Sequence, residues 1–392
     1  MSTVKVPIGP QHPALKEPIN FTIEIEGEQV VDAKVRIGYN HRGIEKACEL
    51  RTYVRDIYLL ERVCGICSHS HTTTFTQGVE ELLDEDVPRR GLYIRTIVCE
   101  LERLHSHMLW LGVAGHEIGF DTLLHYTWRD RELVMDFLEM ISGNRVNYAM
   151  NTIGGVRRDI SKDLIPTLKK GMDTFRERCE YYLKLCSEEP TVLERTQGVG
   201  VLPTHMARKL GAVGPTVRAS AVDMDCRKDD PCAAYDEVPF EVCTWDSCDV
   251  FARVAVRILE MIQSCNMIQW MLDHLPKDEI RLKLKRRVPE GEVLSRYEAP
   301  RGELIHYIKS NGTDKPERVK VRTPTLANWP SVEYMLKGCY IADVPIIVAS
   351  IDPCISCTDR VTFVDVEKEK TWVWDSNQLR RYGIEFYKKK RW

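Results

Sequence analysis

The sequence predicts an α+β protein in which a bundle of long helices is held between β-hairpins at the N-terminal and C-terminal ends. Three observations carry that expectation. Apolar residues recur in steps of three and four over three long segments, apolar and polar residues alternate near both ends, and no fixed-period repeat or Pro/Gly/Ser-rich linker divides the chain.

In chain order, residues 21–26 alternate, Gly27-Glu28 supplies a turn, and residues 30–37 alternate again, which describes an N-terminal hairpin. After Pro88 the series Ile94, Ile97, Leu101, Leu104, Met108 and Leu111 marks one buried helical face. The same stepping runs from Leu164 to Tyr182 and from Phe251 to Ile268, giving two more long helices. Residues 303–309 and 318–322 flank Asn311-Gly312, a strong turn signal, and form the second hairpin. The apolar run 344–350 reads as a strand. Residues 1–360 are expected to form one large domain, and the polar segment 361–392, closing on Lys388-Lys389-Lys390-Arg391, an appended extension.

Composition narrows the class. With 392 residues, 43% hydrophobic and 29% charged, the chain can bury a large core and is unlike a disordered protein. A net charge of −3 with interspersed signs gives no basic surface for nucleic acid. No stretch approaches the roughly 20 apolar residues of a membrane span, and the first residues lack a basic-then-apolar signal pattern. Fourteen cysteines then point to a reducing compartment, by default the cytoplasm, where paired cysteines bind metal more often than they form disulfides.

Two cysteine pairs carry the chemistry. Cys64-Gly65-Ile66-Cys67 alone is a weak signal, since such pairs also occur as redox dithiols or as half of a zinc site. A second pair, Cys354-Ile355-Ser356-Cys357, lies near the other end of the chain and raises the number of soft thiolates to four. Four thiolates suit zinc, an iron-sulfur cluster or nickel. Structural zinc usually staples a short local segment, so pairs this far apart favour a reactive metal at the centre of the fold.

The segment from Arg62 through Cys64, Gly65 and Cys67 to His71, together with Asp352-Pro353-Cys354 and Cys357, resembles the paired signatures of nickel-iron hydrogenase large subunits. The resemblance extends to Gly9-Pro10-Gln11-His12-Pro13, His41-Arg42-Gly43-Ile44-Glu45, Arg227-Lys228-Asp229-Asp230-Pro231 and Glu298-Ala299-Pro300-Arg301-Gly302. These look like the energy-converting hydrogenases and the homologous quinone-site subunit of respiratory complex I, which lacks the four cysteines.

The resemblance implies a nickel-iron centre, with Cys64 and Cys354 terminal on nickel, Cys67 and Cys357 bridging to iron, and cyanide and carbon monoxide on the iron. It makes Cys354 the first proton acceptor, Glu17 the carboxyl group that relays the proton, and Arg301 the cation over the open side of the metals. Asp352 would orient Arg301, and His71 would hydrogen-bond a bridging thiolate. Glu45 resembles a ligand of a separate magnesium or iron ion. The family's histidine three residues beyond the last cysteine is here Arg360, which cannot ligate a metal, so an ion pair between Glu45 and Arg360 is the alternative.

Many hydrogenase precursors are cut just after that position, and 361–392 resembles such an extension; if retained, its alternating start could add a strand and its basic end could contact a partner. The implied reaction is reversible oxidation of hydrogen to protons and electrons. The implied partners are an iron-sulfur small subunit, ferredoxin-like and membrane antiporter-like subunits, and ferredoxin, on the cytoplasmic side of a membrane. No iron-sulfur cluster is expected in this chain itself. Two rivals stay open: a complex I-like subunit reducing a quinone or sulfur compound, and a scaffold whose four cysteines hold zinc. Cys226, Cys232, Cys243 and Cys248 match no common metal spacing, and His105 and His107 cannot share a helical face.

Overall fold

The computed structural model describes residues 3–13, 15–283, 287–358, 364–365, 370–371 and 376–389. The N-terminal alternation becomes an antiparallel sheet of β1 (Val4–Ile8), β2 (Asn20–Glu26) and β3 (Gln29–Arg36), in that order. The β2–β3 hairpin is the predicted one, and β1 pairs on its open edge with Ile8 opposite Phe21. The loop from β1 to β2 carries His12 and Glu17.

Two short helices follow, α1 (Ile44–Cys48) and α2 (Tyr53–Leu60), then α3 (Ser68–Leu83). The bundle consists of α4 (Arg89–Glu117), α5 (Asp121–Ser142), α6 (Ile165–Glu188) and α7 (Val250–Asp273). Pro88 precedes α4, since a proline sits easily at a helix start. Asp249 caps α7 by accepting from the Ala252 amide at 2.8 Å. The predicted apolar stripes meet in one core that includes Leu101, Leu104, Met172, Phe175, Met261 and Ile268. The sequence reading passed over α5, whose buried stripe is thinned by Thr127.

The second hairpin gains a strand: β4 (Gly291–Ala299), β5 (Gly302–Ser310) and β6 (Pro316–Arg322) form an antiparallel sheet, with α3 packed on β4 and β5. Next come α8 (Pro324–Leu336) and α9 (Val344–Ser350). Here the expectation of a strand over 344–350 fails. A seven-residue apolar run is ambiguous; this one is a helix with proline in its first turn, buried nearly all round against α4, α7 and α8. Its continuous apolarity reflects burial on every side rather than a pleat.

The N-terminal sheet shares a core with α8 and α9, where Phe21 meets Trp329 edge-on at 5.9 Å. A further core joins α1, α2 and α3 to the second sheet and contains all four cysteines of the two pairs. In the extension, Val364–Asp365 pairs with Lys370–Thr371, and Ser376–Lys389 is helical. Arg360, the expected end of the large domain, and the last residues of the basic run lie outside the described residues.

Candidate metal centre

Each cysteine pair is fixed by a neighbouring helix start. Cys67 stands immediately before α3, whose free amides are capped from outside: the Glu102 carboxylate on α4 accepts from the His69 amide at 2.7 Å, the Ser70 amide at 2.9 Å and the Ser70 hydroxyl at 2.5 Å. Burial pushes the Glu102 carboxyl up to about 8 although these donors favour its charge. The second pair follows α9 and is braced by the start of α8. Thr325 Oγ1 accepts from the Cys354 amide at 3.1 Å, and the Thr323 hydroxyl donates to the Cys357 carbonyl at 2.9 Å.

The two pairs converge. Cys354 Sγ lies 3.1 Å from Cys64 Sγ and 3.0 Å from Cys357 Sγ, Cys67 and Cys357 are 3.9 Å apart, and all four sulfurs fall within 4.8 Å of one another. All four thiols are buried and free. Their separations exceed the roughly 2.05 Å of a disulfide. Sulfurs bound about 2.3 Å from one metal stand up to about 4.6 Å apart, close to this spread. Hydrogen bonding from Cys354, then from Cys357 and Cys67, holds Cys64 well below the usual thiol range, with the Arg301 cation adding to the effect.

Arg301 reaches the cluster from Pro300–Arg301, the two-residue turn between β4 and β5, where Ala299 pairs with Gly302. Gly302, at φ 126°, passes Gly214 so closely that a Cβ would lie 2.7 Å from the Gly214 nitrogen, so only glycine permits this approach. Arg301 is buried, and each of its three guanidinium nitrogens donates: Nε to the Asp352 carbonyl at 2.8 Å, Nη2 to Asp352 Oδ1 at 2.8 Å, and Nη1 to the Ser106 hydroxyl at 3.2 Å. Burial opposes its charge, but Asp352 and the cysteines keep it protonated. Burial also raises the Asp352 carboxyl, and Arg301 counters that rise.

Glu17 approaches from the N-terminal loop, its Oε2 accepting from the Ser356 amide at 2.9 Å. Glu17, Cys64, Cys354, Arg301 and Asp352 all line one largely apolar cavity of about 560 Å³. His71 Nε2 stands 3.7 Å from Cys357 Sγ, and its Nδ1 is 3.2 Å from Nε2 of His306 on β5. Burial drops the His71 pKa to about 4, so its ring is neutral near pH 7.

Glu45 is held elsewhere: its Oε1 accepts from the Val321 amide at 2.9 Å and its Oε2 from Arg318 at 3.3 Å. It therefore stands apart from the sulfur cluster, and its alternative partner Arg360 lies outside the described residues. Among the described residues, Cys226, Cys232, Cys243 and Cys248 do not converge into a ligand set. His105 and His107 diverge, one toward the Ile66 carbonyl at 3.1 Å and the other toward Glu260 at 3.0 Å.

Several contributors escaped the sequence reading. Arg42 clamps the two cysteine loops together, donating to the Arg62 carbonyl at 3.0 Å, the Val63 carbonyl at 2.8 Å and the Ser356 carbonyl at 2.9 Å. It lies inside the His41-Arg42-Gly43 motif, which was signal enough. Ser106, Glu102 and His306 had no local signal, since each sits in an ordinary helix or strand and meets the site only through tertiary packing.

A model of the respiratory-chain NADH dehydrogenase 49 kDa subunit matches residues 117–287 and 283–360, and one of nickel-dependent hydrogenase matches residues 42–112, which hold the first cysteine pair. The membrane-bound hydrogenase subunit alpha of Pyrococcus furiosus is 43% identical over 97% of this chain and 93% of its own length. An NADH-quinone oxidoreductase subunit of Dehalococcoides mccartyi is 39% identical over 90% of this chain and 97% of its own. A chain of the membrane-bound sulfane sulfur reductase, an archaeal respiratory membrane complex, superposes with a TM-score of 0.87 at 31% identity, covering 91% of this chain and 98% of that one. With both family models and full-length relatives agreeing, the chain belongs to the nickel-iron hydrogenase large subunits of the energy-converting, membrane-bound type, kin to the complex I 49 kDa subunit.

Proposed function

We propose that this chain is the catalytic subunit for the reversible reaction of hydrogen to two protons and two electrons, with a nickel-iron centre held by Cys64, Cys67, Cys354 and Cys357. The observation that carries the reading is the convergence of four free thiols from opposite ends of the chain beneath a buried, charged arginine. The donor set fits the group: four soft ligands within 4.8 Å suit thiophilic metals. When bound, the centre supplies redox-active metals that take up the two electrons, with cyanide and carbon monoxide tuning the iron.

The residues supply proton handling and orientation. Cys354 Sγ accepts the first proton, and Glu17, facing the same cavity, relays it outward. Arg301 directs a fixed positive field at the reacting side, and Asp352 holds its fork in place. His71, neutral, points a ring nitrogen at Cys357. In this reading Glu45 serves the α1–β6 contact rather than an added metal.

Electrons leave through an iron-sulfur small subunit toward ferredoxin, and ferredoxin-like and antiporter-like membrane subunits couple the reaction to ion movement on the cytoplasmic side. Among the described residues no helix is long and apolar enough to cross a membrane. The membrane subunits of the reading draw on the relatives, which are parts of membrane complexes. In this reading the large domain spans 1–360 and 361–392 is an extension that maturation either removes or leaves in place, which intact mass would decide.

A second reading, reduction of a quinone or sulfur compound, draws on the apolar cavity and on the sulfane sulfur reductase likeness. Hydrogen-dependent dye reduction by the anaerobic complex, abolished in Cys354→Ser, supports the first. Quinone or polysulfide reduction with no hydrogen turnover supports the second, and zinc without either activity supports a scaffold.

A further inference from the structure

We propose that Arg257 and Trp110 are positioning residues that set the place of Arg301 by bracing the backbone turn on which Asp352 stands. The proposal rests on the hydrogenase reading above.

Asp352 has φ 56°, a left-handed conformation that a non-glycine residue keeps only when its surroundings hold it. Arg301 spends two of its three bonds on this one residue, on the carbonyl and on the carboxylate, so any shift of the turn moves the guanidinium. The turn is pinned at the Ala349 carbonyl. That oxygen accepts from the Asp352 amide at 2.8 Å and from Trp110 Nε1 at 2.7 Å.

Trp110 lies on α4 and lines the cavity, and its ring is covered by the Arg257 guanidinium 4.0 Å from the ring centroid. Arg257 is fully buried on α7. Its Nη1 donates to the Arg253 carbonyl at 2.9 Å, while Nε and Nη2 have no hydrogen-bond partner among the described residues. One turn earlier, Arg253 Nη1 donates to the Ser350 hydroxyl at 3.1 Å, so α7 holds the C-terminal end of α9 through Arg253 and the indole of α4 through Arg257. A methionine would fill the volume of Arg257 without the desolvation cost of a guanidinium. What the cation adds is a directed hold on the indole face and an attraction to the Asp352 charge.

The test uses the intact complex with wild type, Arg257→Met, Arg257→Lys and Trp110→Phe. Hydrogen-dependent dye reduction and the infrared bands of iron-bound cyanide are read on nickel-loaded protein. Hydrogen–deuterium exchange of the 349–357 segment is read on metal-free protein. Displacement of a catalytic group by about 1 Å costs on the order of 100-fold. Arg257→Met is therefore expected to lower kcat by about 10- to 100-fold with KM for hydrogen changed less, to shift the cyanide bands, and to raise exchange in 349–357 selectively. Arg257→Lys should recover most of each effect.

Unchanged kcat, bands and local exchange in Arg257→Met, with only a lower melting temperature, would overturn the proposal. If Arg257→Met does not assemble, Trp110→Phe decides in the same way, because it keeps an aromatic face for Arg257 and removes the bond to Ala349 together with one ring of the indole. Wild-type protein lacking nickel and these bands would refute the hydrogenase reading itself, a distinct failure.

Discussion

Replacing Asp352 by asparagine and by alanine separates its two tasks, accepting from Arg301 and holding a left-handed turn. Asparagine tolerates φ 56° and keeps an acceptor but loses the charge; alanine loses both the acceptor and the conformational ease. The 2.8 Å contact from Arg301 Nη2 to Oδ1 is a buried, charge-assisted bond of about 1.5–3 kcal/mol. Asparagine forfeits about half of that by exchanging an ionised acceptor for a neutral one, so at about 1.4 kcal/mol per tenfold Asp352→Asn should reduce kcat/KM by roughly 3- to 10-fold. Alanine loses the remaining half of the bond and adds roughly 1 kcal/mol of backbone strain, together about another tenfold or more. The Asp352 carbonyl and Ser106 still hold two of the guanidinium donors, so both variants should assemble. Hydrogen-dependent dye reduction, normalised to nickel content, gives the ranking wild type, Asn, Ala. Equal activity in all three would refute the claim that Asp352 orients Arg301.

Arg42→Met removes three bonds that tie the cysteine loops together, and nickel per chain should fall at least severalfold, measured by elemental analysis after dialysis. Glu17→Gln keeps a partner for the Ser356 amide but cannot carry a proton, so nickel should stay constant while hydrogen turnover drops on the order of 100-fold or more. Asp56, buried with neither carboxyl oxygen hydrogen-bonded, has its pKa pushed by burial from 3.8 up to about 8. The folded chain then holds a proton that the unfolded chain releases between these values, so this group's contribution to stability is full below about pH 4 and is lost as pH rises toward 8. Asp56→Asn should flatten that fall in the unfolding midpoint, and parallel curves for the two proteins would rule the effect out. Gly302→Ala should cost activity more than Gly312→Ala, because a Cβ at 302 strikes the Gly214 backbone and one at 312 meets open space.

Three of the four bundle helices and both hairpins were legible because periodicity is a local property: the stripe of Ile97, Leu101, Leu104 and Met108 in α4 depends on no distant partner. Val344–Ser350 was misread because a short run buried on all sides carries no periodicity to separate helix from strand. The meeting of the four thiols was legible from two spaced pairs, and the placing of Glu17, Arg301 and Asp352 on the same cavity from their motifs. Glu102, Ser106, His306, Trp110 and Arg257 were not, since an acid, a hydroxyl or a cation on a helix acquires its meaning only when packing brings it to the cluster. Buried polar residues in mid-helix, costly unless partnered, are the physical clue that would have flagged them.

The central claim is that Cys64, Cys67, Cys354 and Cys357 hold a nickel-iron centre, and elemental analysis of the anaerobically purified complex, combined with infrared spectroscopy of metal-bound carbon monoxide and cyanide, tests it most directly. Nickel and iron at one each per chain, with those bands present, and both lost in Cys354→Ser, are the expected result. Zinc in place of nickel, or bands that persist without the Cys354 thiol, would contradict it.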